Sequence, residues 1–361
     1  MTAAEISSAE KSTSHLYFLD NLRVVLVMLV IAHHVGQAYG PTGGWWPIQE
    51  EARSAVLGPF FTVNRSFFMS LFFMISGYFT VMSVDRWGPR AYIKDRFLRL
   101  GLPTLSFGLV MALLQLFVFE SHSAWPVDVG HLWFLEHLLI FSAAYALWRM
   151  ISKKSIHAEK SQSKTPGYPG IVAFALVLAV VSGVVRIWFP IDRWVYLLGF
   201  IKVAFADVPR DLSFFIIGLI AYRRNWILGF PKKDGTVWLG VGVTLAILWY
   251  IFALAGRNFL HLSDIQIGII YPIWESVLCC GMCIGLTVLF REYFNLQGYL
   301  WKAMAKSQYA AYILHPLVVL LFQAILLSLD LPPFIKFTLA TLASIPVTFL
   351  VSNWLRKPLR L

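Results

Sequence analysis

Charge is what this sequence has least of. Asp, Glu, Lys and Arg make up 14% of its 361 residues and hydrophobic residues 58%, whereas a soluble domain carries about a quarter charged residues and is about half apolar. That balance excludes an ordinary water-soluble enzyme. Cysteine is nearly absent as well. Cys279, Cys280 and Cys283 sit together in one apolar stretch, spaced neither for a disulfide framework nor for a metal, so they read as small packing residues and no metal centre is expected. The first fifteen residues are polar, with Glu5 and Glu10, and lack the basic start of a signal peptide. The first helix is therefore expected to stay in place as a signal anchor behind a polar cytoplasmic N-terminus, residues 1–15. No inverted repeat of the kind found in many transporters stands out, and no stretch suits a second, soluble domain. The expected organisation is a single integral-membrane domain over 1–361.

What is present is a series of apolar runs of eighteen residues or more, each long enough to cross a bilayer. The expected fold is all-α and polytopic, with about ten spans near 16–39, 60–84, 97–119, 131–150, 170–189, 208–223, 236–255, 267–290, 307–328 and 333–355. The sixth is the weakest, since Arg210 and Asp211 shorten it, and the stretch 194–206 before it reads as an amphipathic interfacial or re-entrant helix. With ten spans and the N-terminus inside, 21 lysines and arginines fall on the cytoplasmic side and eight on the outer side. That bias places both termini in the cytoplasm of a cell-membrane protein, and it accounts for the net charge of +11 without nucleic acid as a partner. The Ser- and Lys-rich loop 151–169 reads as a flexible inside linker.

Ionisable groups at membrane depth are costly, which makes them functional candidates by default. The first span carries Asp20, Arg23, His33 and His34. Arg23 and His34 are eleven residues apart, about three turns, so they share one face about 16 Å apart, while His33 points elsewhere. A histidine ordinarily titrates near neutrality and can accept a proton from a hydroxyl, so His34 suits a general base. The packing alternatives are an Arg23 that snorkels and pairs with Asp20, and a His34 satisfied by a helix neighbour. In the second span Ser76 and Gly77 are small residues amid aromatics, suited to close helix approach or to a ligand-adjacent kink. Arg96 and Arg99 open the third span three residues apart, facing one way; they suit anionic headgroups or a phosphorylated ligand. His131 and Trp133 begin the fourth span near the outer interface, with Glu136 one turn deeper. Glu136 or Glu275 could orient His34 as the third member of a triad does. Tyr312 and His315 occupy adjacent turns of the ninth span, and Pro316 removes a helical donor there.

These pieces occur in a fixed order: L-D-x-L-R with a histidine eleven after the arginine, F-F-x-x-S-G-Y, R-x-x-R, H-L-W-F-L and Y-x-L-H-P. Over nearly the whole chain that order resembles the acyltransferase family 3 of membrane O-acyltransferases, and within it the glucan-modifying branch. The resemblance implies an enzyme that transfers an acyl group from cytoplasmic acyl-coenzyme A, its donor substrate, to a hydroxyl of an extracytoplasmic acceptor such as a glycan, with no permanently bound cofactor. It implies that Arg23 and His34 are the first-helix catalytic pair and that Arg96 and Arg99 contact the donor. Glu136 joins the expected catalytic set as orienter. His131, Trp133, Ser76, Glu275, Tyr312 and His315 are the expected substrate-side residues. On physical grounds alone, a proton-coupled transporter or exporter, or a scaffold with buried polar packing, stays open beside the enzyme.

Overall fold

The computed structural model describes residues 15–41, 46–117, 130–152, 164–199, 201–256 and 263–356. The polar N-terminus and most of the 151–169 loop lie outside the described residues. In chain order the helices are α1 (Tyr17–Gly36), α2 (Leu57–Trp87), α3 (Pro89–Arg96), α4 (Leu102–Phe117), α5 (Trp133–Ile151), α6 (Tyr168–Trp188), α7 (Val208–Arg223), the single turn α8 (Trp226–Gly229), α9 (Lys232–Ile251), α10 (Asp264–Tyr293), α11 (Tyr299–Leu327) and α12 (Pro333–Leu355). A π-turn, Phe97–Gly101, joins α3 to α4, and a 3-10 turn, Gly130–Leu132, leads into α5.

Among the described residues, eight helices are long and apolar enough to cross a membrane. Two more of the ten expected spans, α4 and α7, are 16-residue helices and fall short of that length. The chain is a multi-pass, all-α membrane protein. Below, "inner" is the end of the bundle carrying the basic loops and "outer" the opposite end.

The stretch 194–206 is a correction. It forms not an amphipathic helix but a small antiparallel hairpin, β1 (Val195–Leu197) with β2 (Ile201–Val203), in which Tyr196 faces Lys202. The turn holds Leu198 and Gly199 at positive φ, 54° and 81°, a conformation glycine tolerates and other residues resist.

Inside a bilayer, helices associate through close packing rather than through exclusion of water, and small residues allow it. The α2–α7 contact depends on this: a Cβ on Gly77 would overlap the Phe215 carbonyl, and one on Gly218 the Met74 carbonyl. The expected role of Gly77 in close approach is met there. Neighbouring Ser76 lends its backbone carbonyl to the Thr80 hydroxyl. Cys279, Cys280 and Cys283 are buried free thiols in the core. At the centre lies α1, nearly every residue of which is buried or half-buried. It lies against α11, and Asn21 ties its inner end to the α10–α11 connection through the carbonyls of Phe294 and Leu296.

Candidate active site

α1 is uninterrupted from Tyr17 to Gly36, so Arg23 and His34 do share a face about 16 Å apart. At the outer end, three histidines from three elements meet. His34 comes from α1, His131 from the turn before α5 and His315 from α11. The ring centroids of His34 and His315 are 4.7 Å apart, those of His131 and His315 4.9 Å, and those of His34 and His131 6.2 Å. His131 and His315 are buried, while His34 is half-buried.

Each ring is held by main chain. His34 Nδ1 lies 2.9 Å from the Val30 carbonyl and 3.2 Å from His315 Nε2. His315 Nδ1 lies 2.7 Å from the Tyr312 carbonyl, and His131 Nε2 3.2 Å from that of Ile313. Tyr312 donates its hydroxyl to the His131 carbonyl at 2.5 Å and so fixes the turn that carries this histidine. Gly130 enters the turn at φ 55°, where a side chain would be strained.

Two residues of this region escaped the sequence reading. The Trp46 ring lies 5.4 Å from the His34 ring, and its indole N–H donates to Gln323 Oε1 at 2.7 Å. The Gln323 amide donates in turn to the Val35 carbonyl at 2.9 Å. In the sequence Gln323 is marked only as an amide within an apolar run; in the structure it is fully buried. His33, by contrast, sits in a pocket of Phe60, Phe61 and Phe68, stacked on the last at 5.3 Å.

The expected carboxylate partner of His34 is found elsewhere. Glu275 belongs to a second cluster, where its oxygens receive Arg210 at 2.5 Å and Arg186 at 2.7 Å. Asp207 joins that cluster through Arg65 at 2.8 Å, and Ser70 bridges Arg210 and Asp211 at 3.0 and 2.8 Å. Arg65 also bonds Asp192. A buried carboxylate needs paired cations, and Glu275 has two, Arg210 and Arg186, rather than His34. Burial alone would raise the Asp207 carboxyl, but Arg65, Arg210 and Arg186 around it hold it well below the usual carboxylate range. Glu136 accepts the Lys202 backbone N–H at 3.1 Å and so ties α5 to the hairpin. Trp133 turns the same way, its ring 5.3 Å from His137 and 5.7 Å from Trp194. The histidine cluster thus unites His34, His131, Tyr312 and His315, while Glu136, Trp133 and Glu275 lie against other partners.

At the inner end, Arg23 is 3.8 Å from Asp20, and its guanidinium lies 5.9 Å from the Phe79 ring centre. Arg96 and Arg99 each meet the residue four positions earlier, but in different surroundings. The π-turn begins between them. Arg96 turns inward over the Tyr92 ring at 5.0 Å, with its Nε buried and without a partner among the described residues. Arg99 stays exposed and pairs with Asp95 at 2.7 Å. Tyr309 donates to the Arg99 carbonyl, so α11 touches the inner arginines through Tyr309 and the outer histidines through Tyr312 and His315. Among the described residues, no group of His, Cys, Asp and Glu is arranged to hold a metal ion.

A multi-pass bundle with polar side chains threaded along α1 and α11 between its two ends fits an enzyme of membrane acyl transfer. Residues 16–353 match the acyltransferase 3 family, described as an acyltransferase domain, and the chain belongs to that family. Among curated proteins it is similar to Glucans biosynthesis protein C of Salmonella paratyphi B and of Salmonella typhi, each 25% identical over 228 residues. The aligned stretch covers 57% of this chain and 58% of the length of each relative. No solved structure matches.

Proposed function

We propose that this chain is a membrane O-acyltransferase that moves an acetyl or succinyl group from cytoplasmic acyl-coenzyme A to a hydroxyl of an extracytoplasmic glycan. The observation that carries the reading is the placement of His34. It stands in the outer histidine cluster, on the same face of α1 as the inner arginine Arg23, within a bundle of the acyltransferase family. Both Val30 O and His315 Nε2 call for a proton on His34 Nδ1, so neutral His34 carries its lone pair on Nε2.

Nε2 takes the proton of the acceptor hydroxyl as the oxygen attacks the thioester carbonyl. The carbon–sulfur bond breaks, the departing thiolate recovers the proton from His34, and coenzyme A leaves as its thiol. Donor phosphates would rest on Arg96, whose buried Nε offers a donor in a planar guanidinium, with Arg99 and Arg23 beside it. A glucan acceptor is suggested by the names of the relatives.

The test is product formation by the purified protein from acyl-labelled coenzyme A and a glucan oligosaccharide. Wild type should give labelled ester, and His34→Ala, folded and membrane-inserted, should fall by about 10²–10⁴-fold, the usual contribution of a general base. Undiminished acylation in His34→Ala would remove His34 from the chemistry. Movement of an unchanged solute across the membrane with no ester formed would make the protein a carrier instead.

A further inference from the structure

The carboxylate that would ordinarily steady a catalytic histidine is replaced here by a second histidine. Pro316 has no N–H, so the Tyr312 carbonyl four residues earlier loses its helical donor. His315 Nδ1 takes up that carbonyl at 2.7 Å. A carbonyl only accepts, so Nδ1 carries the proton, and neutral His315 is left with its lone pair on Nε2. That nitrogen lies 3.2 Å from His34 Nδ1, which already bears a proton directed between His315 and the Val30 carbonyl. His315 is fully buried, and its ring is also flanked by His131 and Tyr312.

We propose that His315, locked in one tautomer by the carbonyl that Pro316 frees, is the positioning residue for His34. It receives the His34 Nδ1–H and shares the positive charge that appears when His34 Nε2 takes the acceptor proton. His315 neither gains nor loses a proton over the cycle; the proton taken at His34 Nε2 leaves on the coenzyme A thiol. In a serine protease an aspartate does this work. A neutral imidazole does it in an apolar bundle without a buried, unpaired anion, which would be costly there. The proposal rests on the reading of His34 as the base.

Two measurements on the full-length protein in lipid nanodiscs test it. In wild type labelled with ¹⁵N-histidine, the His34 Nδ1–H should show scalar coupling across the hydrogen bond to His315 Nε2. Absence of that coupling, or a proton on His315 Nε2, overturns the proposal without any variant. With labelled acetyl-coenzyme A and a glucan oligosaccharide, His315→Leu should lower kcat by about 10²-fold with both KM values within about twofold, and His315→Gln, whose amide oxygen can accept from His34, should recover about tenfold of that. Pro316→Ala, which returns a competing N–H to the Tyr312 carbonyl, should lower kcat by less than His315→Leu does. Full kcat in His315→Leu, or no recovery in a folded His315→Gln, overturns the proposal while His34→Ala stays inactive. Activity in His34→Ala would instead overturn the underlying reading of the base.

Discussion

The histidine cluster of α1, α11 and the turn before α5 and the ion network of α2, α6, α7 and α10 both occupy the outer half of one bundle. One is made of imidazole rings held by backbone carbonyls, the other of full charges held by each other. In the ion network Glu275 receives two guanidinium groups, Asp207 lies among three, and Ser70 bridges Arg210 to Asp211. Such a network fixes helix positions, because each buried charge is tolerable only with its partner in place. In the histidine cluster the carbonyls of Val30, Tyr312 and Ile313 set ring orientation and tautomer. Each neutral ring keeps one lone pair, and that of His315 faces the His34 Nδ1–H. Polar groups at equal depth can therefore be sorted by what satisfies them.

The largest expected effect that would break this division is at Glu275. Glu275→Ala removes the shortest carboxylate contact of both Arg210 and Arg186 in the interior and should cost about 3–5 kcal/mol of stability, read as a loss of folded protein or a lowered unfolding midpoint in detergent. His34→Ala should leave that midpoint close to wild type. A Glu275→Ala protein that unfolds like wild type yet is inactive would move Glu275 into the chemistry. Next is Gln323→Leu, which removes the buried hydrogen bonds that Gln323 makes with the Trp46 indole N–H and the Val35 carbonyl. It should cost about 1–3 kcal/mol in the same unfolding measurement. A smaller effect separates the inner arginines. Arg96→Ala should raise the donor KM by about tenfold, or about 1.4 kcal/mol, and Arg99→Ala by less, because Arg99 is exposed and already paired with Asp95. Equal effects would show that exposure and the Asp95 pair do not distinguish the two arginines.

The smallest effect near neutrality concerns Asp207. Its carboxyl is held below its ordinary value in the folded protein, so its stabilising contribution is complete above the unfolded pKa of about 3.9 and is lost as pH falls below it. Wild-type stability should therefore decline with acid below about pH 4, and Asp207→Asn should flatten that decline. An unchanged slope would exclude Asp207 from the network's acid response.

Much of this was legible in the sequence, for identifiable reasons. Apolar length marks membrane helices directly, and His34, His131, Tyr312 and His315 stood out as polar residues within such runs. Pro316 announced the freed carbonyl by chemistry alone. What the sequence could not convey was long-range partnership. Glu275 is 89 residues from Arg186 and 65 from Arg210, so no local pattern tells its ion pairs from a role beside His34. Glu136 likewise bonds an amide 66 residues away. The hairpin was misread because alternation over 194–206 is too short to tell from an amphipathic turn, and Gly199 was its one local mark. The spacing of Arg96 and Arg99 does not convey that Arg96 lies over Tyr92 while Arg99 is exposed and paired with Asp95.

The central claim is that one protein joins a donor from the inner side to an acceptor on the outer side at His34. It is tested most directly in proteoliposomes of known protein orientation, with acyl-labelled coenzyme A confined to the inner side and a glucan oligosaccharide to the outer. The account predicts labelled ester on the outer glycan with wild type and none above background with His34→Ala. Ester formation only when donor and acceptor share one side, or at an undiminished rate in His34→Ala, would contradict it.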